Sequence, residues 1–529
     1  MILQALTTYF TLQNVCLALG GNIIGLIFGA IPGLTGSMAL ALFLPVSFIM
    51  PGYTGLIFLG SMYIGGTSGG LFGSILTGIP GTTASIATVY DGYPMTQKGE
   101  ATKALGIAIL SSAIGSVGGI LVAMFFCPII SKVALLMGPW EYFSLCFCAI
   151  VLVVTISKDD MWNGLVAAFL GVILSCVGFS PIDGGKRFNF GIHLLLGGIN
   201  TTCLMLGIFA LSTVVVNYAK HKNVNPPVEP CNFKGLGVSL KEFIEKKVLI
   251  IRSFLVGVWI GFLPGMGPGL SNQVSYAMAK SASKEPETFG HGNPEGVYAA
   301  EVSNNASIGG AIIPMITLGI PGDTPTTLIL SALIVFGLEP GPLLMRTSSD
   351  YVYLFFITLL LGAILSLTFS FCGLRVFPKI LSIPYHYLYT GIVLFCFTGA
   401  YSLSNNIDSL MLCVFISLLG IFFSFSGLNR APFLLGFILG PMLESNLRKG
   451  LTYTEYGFGY FFMRPASCVF LVIAILSLFW PFVREQLESK LNTFKFRLHE
   501  RPDLRVFGSS WSLFVCLKRA CAAGPAGVK

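Results

Sequence analysis

Long apolar segments alternate with short polar loops along almost all of the 529 residues of the chain. From Met1 to Tyr90 there is no Asp, Glu, Lys, Arg or His, and the first such residue is Asp91. The apolar segments lack the strict two-residue alternation of barrel strands. The pattern therefore predicts an all-α polytopic membrane protein whose bilayer-crossing segments are helices.

The apolar segments predict about 10–12 transmembrane helices, with re-entrant or discontinuous helices where Pro-Gly pairs interrupt them. The candidate spans are residues 17–31, 53–64, 105–130, 142–156, 162–177, 193–216, 248–262, 351–371, 387–401, 410–425 and 468–482. The first segment has neither a basic start nor a small-residue cleavage site. We therefore expect a membrane helix there rather than a removed signal peptide.

Two Pro-Gly motifs occur twice in the same order, which indicates an internal two-fold repeat. The first motif reads GAIPGLTG at residues 29–36 and GFLPGMGP at 261–268. The second reads GSILTGIPGTTAS at 73–85 and PMITLGIPGDTPT at 314–326. The sequence leaves the direction of the second repeat relative to the first open.

Polar composition and positive charge set the predicted domain boundaries. A segment rich in lysine and proline separates the two apolar halves, and further basic residues follow the last apolar segment. The positive-inside rule places both basic segments in the cytoplasm. We divide the chain into a first membrane repeat (1–219), a cytoplasmic linker (220–247), a second membrane repeat (248–482) and a basic cytoplasmic tail (483–529).

The Pro-Gly motifs break apolar helices where unsatisfied backbone groups are expensive. Such breaks are tolerated at membrane depth only where they line a water-filled cavity or contact protein. Matched broken segments in two halves are typical of the binding site of a secondary transporter. Because a helix start carries roughly +0.5 charge and free N–H groups, four breaks could hold a carboxylate without a nearby Lys or Arg. The alternative is that the breaks only kink packed helices.

Small polar residues and glycines at the breaks are the predicted substrate-binding residues. They are Gly33, Thr35, Ser37, Gly81, Thr82, Thr83, Gly265, Asn272, Gly322, Thr324 and Thr326. Hydroxyl and amide groups suit an anion that must bind and then leave. The same side chains also suit capping of a restarted helix, and both interpretations stay open.

A second group of polar residues predicts a site for the coupling cation. Glu301, Asn304 and Asn305 share one face of a helix, and Asp323 follows the fourth break. Carboxylate and amide oxygens suit Na⁺ or H⁺, and an ionisable residue inside the membrane is functional by default. The alternative places Glu301 in water with the asparagines as caps. No cofactor is predicted beyond a possible Na⁺ or H⁺ coupling ion.

Several other classes of protein are disfavoured. Tyr90-Asp91 and Gly322-Asp323 loosely resemble the aspartate motifs of intramembrane proteases, but Asp91 is expected beside a Gly-Tyr-Pro turn. Neither a Walker motif nor an H-E-x-x-H motif occurs. The basic residues are too dispersed for a nucleic-acid site, and the 13 cysteines lack metal-binding spacing. We predict that the chain is not an enzyme; a carboxylate-selective channel is the alternative to a transporter.

The chain resembles the large membrane permease subunit of the bacterial tripartite tricarboxylate transporters (TctA-type). The resemblance covers about residues 17–482. The motifs that carry it are GAIPGLTG, GSILTGIPGTTASIATVYDGYPM, GPWEYFSL, KRFNFG, PEGVYAAEVSNNASIGGAIIPMITLGIPGDTPTT, GLEPGPLL and FILGPMLESNLRKG. Three positions depart from the pattern of the family: Met38 and Leu42 are bulkier, and Asp323 replaces a residue that is often small and uncharged.

The resemblance implies a permease in the bacterial cytoplasmic (inner) membrane that imports citrate or another carboxylate. It implies two protein partners, a small four-span membrane subunit and a periplasmic solute-binding protein that delivers the substrate. It also implies symport driven by a Na⁺ or H⁺ gradient rather than by ATP. The negative charge of Asp323 near an anion site is compatible with cation binding, helix capping or a different substrate.

Overall fold

A computed structural model describes residues 2–156, 161–180, 183–220, 237–402 and 405–479. Contacts join Met1–Ala474 into one unit, and of the second unit, Ile475–Lys529, the described part is only 475–479. Strand β1 (Gly178–Phe179) pairs antiparallel with β2 (Lys186–Arg187). The other regular elements of the described residues are helical, which confirms the predicted all-α fold class.

The first half of the chain contains short helices and long membrane helices. They are α1 (Ile2–Tyr9), α2 (Leu12–Ala30), α3 (Gly36–Phe48), α4 (Gly52–Thr77), α5 (Ile86–Gln97), α6 (Ala101–Ala134), α7 (Pro139–Ile156), α8 (Met161–Ser175), α9 (Thr201–Met205) and α10 (Ser212–Lys220). A π-helical segment, Leu206–Leu211, joins α9 to α10.

The second half follows a similar order. Its helices are α11 (Leu240–Glu245), α12 (Lys247–Phe262), α13 (Gly267–Ala282), α14 (Pro294–Leu318), α15 (Thr324–Val335), α16 (Leu344–Thr347), α17 (Ser349–Cys372), α18 (Phe377–Leu381), α19 (Tyr385–Ser402), α20 (Ile407–Ser426), α21 (Arg430–Thr452), α22 (Tyr460–Met463) and α23 (Pro465–Phe479). Helix α11 and the start of α12 lie within the predicted linker, whose residues 221–236 are outside the described part.

Six helices of the described residues are long and apolar enough to cross a membrane, and a bent pair formed by 457–463 and α23 would be a seventh. Four further apolar helices have only 10–17 residues: α3, α7 as far as Thr155, α8 and α15. The number of full-length spans is therefore smaller than the predicted 10–12. The difference arises because an apolar run in the sequence does not show whether its helix crosses the bilayer or stops inside it.

The helix order of the first half repeats in the second. In each half a broken pair (α2–α3 and α12–α13) precedes a long helix that is followed, after a further break, by a shorter one (α4–α5 and α14–α15). A long helix, α6 or α17, comes next. The internal two-fold repeat predicted from the Pro-Gly motifs is thus present in the order of the helices.

A third repeated motif was missed in the sequence. Residues 198–207 read GINTTCLMLG and residues 427–436 read GLNRAPFLLG. Gly198 (φ +81°) and Gly427 (φ +73°) both adopt the left-handed conformation. Asn200 and Asn429 both accept backbone N–H groups as the N-caps of α9 and α21. The equal spacing of glycine and cap extends the repeat to α9 and α21.

Glycines allow the long helices to pack with their backbones in contact. A methyl group at Gly25 of α2 would overlap the Met62 carbonyl of α4, and one at Gly257 of α12 would overlap the Ser303 carbonyl of α14. These two contacts occupy equivalent positions in the repeats. The two halves also pack on each other: α6 of the first half packs on α14 of the second, and α17 of the second packs on α4 of the first. Each half therefore completes the core of the other.

The two repeats run in opposite directions. Gly55, near the start of α4, lies under the ring of Phe336, which directly follows α15. Gly292, directly before α14, donates its N–H to the Asp91 carboxylate of α5. Thr96, near the end of α5, donates to the Ile75 carbonyl near the end of α4, and Gly341, shortly after α15, donates its N–H to the Ile316 carbonyl near the end of α14. Helix α14 therefore starts where α4 ends, and α4 starts where α14 ends. Contacts thus supply the orientation that the sequence left open.

We expect Gly25→Val to lower the melting temperature of the detergent-solubilised protein strongly. The side chain has no space against the Met62 carbonyl, and overpacking of this kind costs roughly 1–3 kcal/mol or more. Gly20→Val on the same helix is the matched control, because nothing lies within 4 Å of a Cβ there. Equal melting temperatures for the two variants would contradict the close packing of α2 on α4.

Candidate functional site

Each of the four broken segments turns through a glycine with positive φ. The values are +85° at Gly33, +68° at Gly78, +72° at Gly265 and +72° at Gly319. Gly78 and Gly319 end α4 and α14 in the left-handed conformation, which a residue with a side chain rarely adopts. The breaks are therefore encoded locally by glycine and the neighbouring proline.

The four breaks meet around one cavity of about 380 Å³. Its wall consists of residues 35–37, 82–84, 265–269 and parts of 321–327, together with Tyr63, Phe209 and the start of α21. Of the residues singled out in the sequence, Thr35, Ser37, Thr82, Thr83, Gly265, Asp323 and Thr324 line it. The structure thus brings together segments that are separated by more than half of the chain.

Three of the predicted glycines lie behind the cavity wall rather than on it. The Gly33 carbonyl accepts a hydrogen bond from Asn217 Nδ2 at 3.0 Å. Gly81 packs directly on the Gly29 carbonyl, and a Cβ at Gly322 would be 2.9 Å from the Gly261 carbonyl oxygen. These glycines allow the broken segments to approach α2 and α12, so their geometry gives them a role in shaping the cavity.

Asn272 holds two breaks together from outside the cavity. Its Nδ2 donates to the carbonyls of Thr83 (3.1 Å) and Pro268 (2.9 Å) and also to that of Ala84. The second and third breaks are therefore tied to each other. Gly269 lies close to Thr83 at the same junction, because a Cβ there would be 3.3 Å from Thr83 Oγ1.

The Asp323 carboxylate caps the helix that follows it. Oδ1 accepts the backbone N–H of Thr326 at 2.8 Å and its Oγ1–H at 2.6 Å, and the Asp323 N–H donates back to Thr326 Oγ1 at 2.9 Å. Oδ2 accepts the hydroxyl of Tyr63 at 3.1 Å. This capping box uses both Asp323 and Thr326 in the start of α15.

The four helix starts around the cavity differ in how they are capped. Thr35 Oγ1 caps α3 by accepting the Met38 N–H at 3.1 Å, and Asp323 caps α15. Neither α13, which follows Met266, nor the 3₁₀ turn that begins at Thr83 has a side-chain cap. Uncapped N–H groups attract anions more than capped ones, particularly where the cap is itself a carboxylate. The second and third breaks are therefore the more anion-friendly part of the wall.

Arg430 is the one lysine, arginine or histidine among the described residues that line the cavity. It begins α21, and its Nη1 donates to Thr213 Oγ1 at 2.6 Å. Its Nη2 donates to Ser424 Oγ and, at 3.5 Å, to the Gly420 carbonyl. The cavity therefore has an arginine in its wall, whereas the sequence indicated four breaks without a nearby Lys or Arg. The signal missed was an arginine within an otherwise apolar stretch, in a motif that repeats.

Glu301 is a buried carboxylate beside the cavity rather than in its lining. Its Oε1 accepts the Thr88 hydroxyl at 2.6 Å, and Asn305 Nδ2 donates to its backbone carbonyl at 3.1 Å. Among the described residues, no lysine, arginine or histidine comes within 4.0 Å of it. Its full burial excludes the alternative in which this carboxylate lies in water at the membrane surface.

The two asparagines that follow differ in their contacts. Asn305 Oδ1 accepts the hydroxyls of Ser68 (3.3 Å) and Ser116 (3.1 Å). Asn304 is fully buried beside Glu301, yet its amide makes no hydrogen bond of normal geometry to the described residues. A buried polar group of this kind requires an explanation, such as a bound ion or water. Both residues lie within α14, so neither caps a helix.

Asp91 is a structural anchor outside the cavity. Its Oδ1 accepts the N–H groups of Gly290 (2.9 Å), Gly292 (2.9 Å) and Asn293 (2.8 Å), and its Oδ2 accepts the Tyr276 hydroxyl at 2.9 Å. The carboxylate is fully buried and fixes the loop before α14 to α5. The geometry gives no support to a pair of catalytic aspartates formed with Asp323, which lines the cavity.

Two similar proteins of Agrobacterium vitis are both described as uncharacterised. One is a 52.8 kDa protein in the TAR-I ttuC′ 3′ region, which is 31% identical over 468 residues, covering 88% of this chain and 93% of that protein. The other lies in the TAR-II ttuC′ 3′ region and is 34% identical over 220 residues, covering 42% of this chain and 91% of its own length. No solved structure matches the chain.

Together, the fold and the site define a class: a polytopic α-helical membrane protein whose broken helices enclose a polar cavity. The family model described as "Tripartite tricarboxylate transporter TctA family" matches residues 15–435. The chain therefore belongs to the TctA family, which confirms the resemblance found in its sequence. Membership makes it a large subunit of a tricarboxylate transporter and implies a transporter rather than an enzyme.

Asp91→Asn should loosen the loop before α14. The amide oxygen can replace Oδ1 as acceptor, but its three hydrogen bonds are then no longer charge-assisted, and the NH2 group cannot accept the Tyr276 hydroxyl. Hydrogen bonds to charged groups contribute about 1.5–3 kcal/mol each, and those between neutral groups about 0.5–1.5 kcal/mol. We expect a lower melting temperature and faster proteolytic cleavage within residues 283–293. Glu287→Gln in the same loop is the control. A variant that is as stable as the wild type but inactive would instead favour a catalytic role for Asp91.

Proposed function

We propose that the chain is the permease of a binding-protein-dependent secondary transporter that imports tricarboxylates or related carboxylates. The observation that carries this proposal is the convergence of four broken helices on one polar cavity. The volume of about 380 Å³ falls in the lower part of the range of small-molecule sites, roughly 300–1,000 Å³. A small carboxylate is the kind of ligand that such a cavity accommodates.

The chemistry of the wall favours an anion. Uncapped helix starts at the second and third breaks present N–H groups, and the hydroxyls of Thr83 and Ser37 lie on the same wall. Arg430 adds a positive charge. Asp323 opposes it, but its carboxylate is engaged by Thr326 and Tyr63. We expect the substrate to lie toward the second break and Gly269, and away from Asp323, against which Gly267 of the third break packs.

Glu301, Asn304 and Asn305 are proposed to bind the coupling cation, Na⁺ or H⁺. A buried carboxylate without a positive partner is stable only if it is protonated or accompanied by a cation. The unpartnered amide of Asn304 lies beside it and offers a further oxygen ligand. Asp323 remains a second candidate for this role, although its geometry is that of a cap.

The antiparallel repeats suit alternating access. The helix pairs α4–α5 and α14–α15, which run in opposite directions, carry the second and fourth breaks to the cavity. Small movements of one repeat against the other would open the site to either side of the membrane in turn. A carboxylate-selective channel would not require this arrangement or a buried cation site.

The location and partners complete the proposal. The basic linker contacts the start of α14 through Lys246–Glu295 (2.6 Å) and the start of α6, in the first repeat, through Lys103–Glu242 (3.5 Å). The positive-inside rule makes this side cytoplasmic, in a bacterial inner membrane. The small four-span subunit and the periplasmic binding protein that delivers the carboxylate are proposed from family membership.

Reconstitution tests transport and coupling together. Proteoliposomes that contain the chain and its two partners should accumulate citrate, or another carboxylate from a panel, when a Na⁺ or H⁺ gradient is imposed. Glu301→Gln and Asn304→Ala should reduce gradient-driven uptake at least tenfold, because they remove the proposed cation ligands. Glu455→Gln, on an exposed loop, is the control.

Uptake that proceeds equally without any gradient would favour the channel. Full coupling in both Glu301→Gln and Asn304→Ala would remove the proposed cation site. No uptake of any carboxylate by the complete wild-type complex would refute the proposed function itself.

A further inference from the structure

The cationic side chain in the cavity wall has no ionic partner in the described residues. The groups that Arg430 contacts are Thr213 Oγ1, Ser424 Oγ and the Gly420 carbonyl, all of them neutral. Among the described residues no carboxylate lies within 4.0 Å of it. A guanidinium has five N–H donors, so these three bonds leave donors for a ligand.

The contacts of Arg430 hold its guanidinium in place without cancelling its charge. Thr213 belongs to α10, and Ser424 belongs to α20, so two helices fix the position of the group. A charge that is fixed, partly desolvated and unpaired is costly inside a membrane protein unless it serves a ligand. A guanidinium matches a carboxylate in geometry, since two parallel N–H groups can bind both oxygens.

The repeat shows that helix α21 does not need an arginine to begin. Thr201 occupies the position of Arg430 in the equivalent motif of the first half, after the same left-handed glycine and asparagine cap. Thr201 does not line the cavity, whereas Arg430 does. The folding of the motif therefore does not require the positive charge of Arg430. This charge makes a pseudo-symmetric cavity asymmetric.

We propose that Arg430 binds one carboxylate group of the transported substrate and sets the preference of the site for substrates with more than one acid group. This inference rests on the proposed function, because it assigns a residue to the substrate of that same cavity. Arg430 holds one carboxylate, and the uncapped backbone N–H groups of Thr83, Ala84 and Gly269 are left for a second. A substrate with a single acid group satisfies only one of these two regions.

A double-mutant cycle tests the proposal, with Arg430 changed in the protein and one carboxylate changed in the substrate, separately and together. Uptake by the complete transporter is measured for a tricarboxylate and for its analogue in which one carboxylate is a carboxamide. In the wild type the amide should raise the apparent KM about 10- to 100-fold, the range for a lost charge-assisted hydrogen bond. In Arg430→Gln the tricarboxylate should already have the raised KM, and the amide should change it less than about threefold.

Two further variants separate binding from folding. Arg430→Lys keeps the charge but loses the paired donors, so it should fall between the wild type and Arg430→Gln. Arg346→Gln, at an exposed arginine outside the cavity, should leave KM unchanged. If Arg430→Gln does not fold, the wild-type protein is treated with an arginine-specific dicarbonyl reagent. The tricarboxylate, but not a fully amidated analogue, should slow modification of Arg430.

The outcomes distinguish this inference from the proposed function. If the wild type transports a carboxylate but Arg430→Gln leaves the KM unchanged, the role of Arg430 is wrong while the proposed function stands. The same holds if the variant and the amide change the KM additively in free energy. Modification of Arg430 that the substrate does not slow would do the same. No uptake of any carboxylate by the wild-type complex would overturn the proposed function and this inference with it.

Discussion

The centre of this protein depends on hydrogen bonds to the backbone N–H and C=O groups that the helix breaks leave without partners in an apolar interior. A helix that stops in the membrane leaves N–H and C=O groups without partners, and each costs free energy unless protein or water meets it. Glycines let α2 reach α4 and let α12 reach α14 at backbone contact. Asn272, Asn217 and Asp323 then bind the freed groups of the breaks. The cavity is the space that remains among these satisfied ends.

The pseudo-symmetry of the repeats explains the helix packing, and the positions where the repeats differ explain the distribution of charge around the cavity. Equivalent glycines make equivalent contacts in both halves, as at Gly25 and Gly257. The functional side chains do not match: Thr82 corresponds to Asp323, and Thr201 corresponds to Arg430. A symmetric frame therefore carries an asymmetric distribution of charge, which is what a site needs to orient one anion and keep a cation apart from it.

Much of the fold and part of the site could be predicted from the sequence. Helical membrane segments, the repeat and the position of the breaks follow from apolar runs and from Pro-Gly pairs, whose physics is local. The roles of Gly81 and Asn272 did not follow, because they depend on which distant backbone lies against them. Arg430 was missed for the same reason: only tertiary packing brings the start of α21 to breaks that lie far away in the sequence.

The most direct test of the account is protection of engineered cysteines by substrate. Ser37→Cys and Thr83→Cys, on the first and second breaks, are placed in a cysteine-free background and labelled with a small thiol reagent. The account predicts that a transported carboxylate slows labelling at both positions and leaves labelling of an exposed control at the end of α13, Ser281→Cys, unchanged. Labelling that no transported carboxylate affects at either position would contradict the claim that the four breaks form one substrate site.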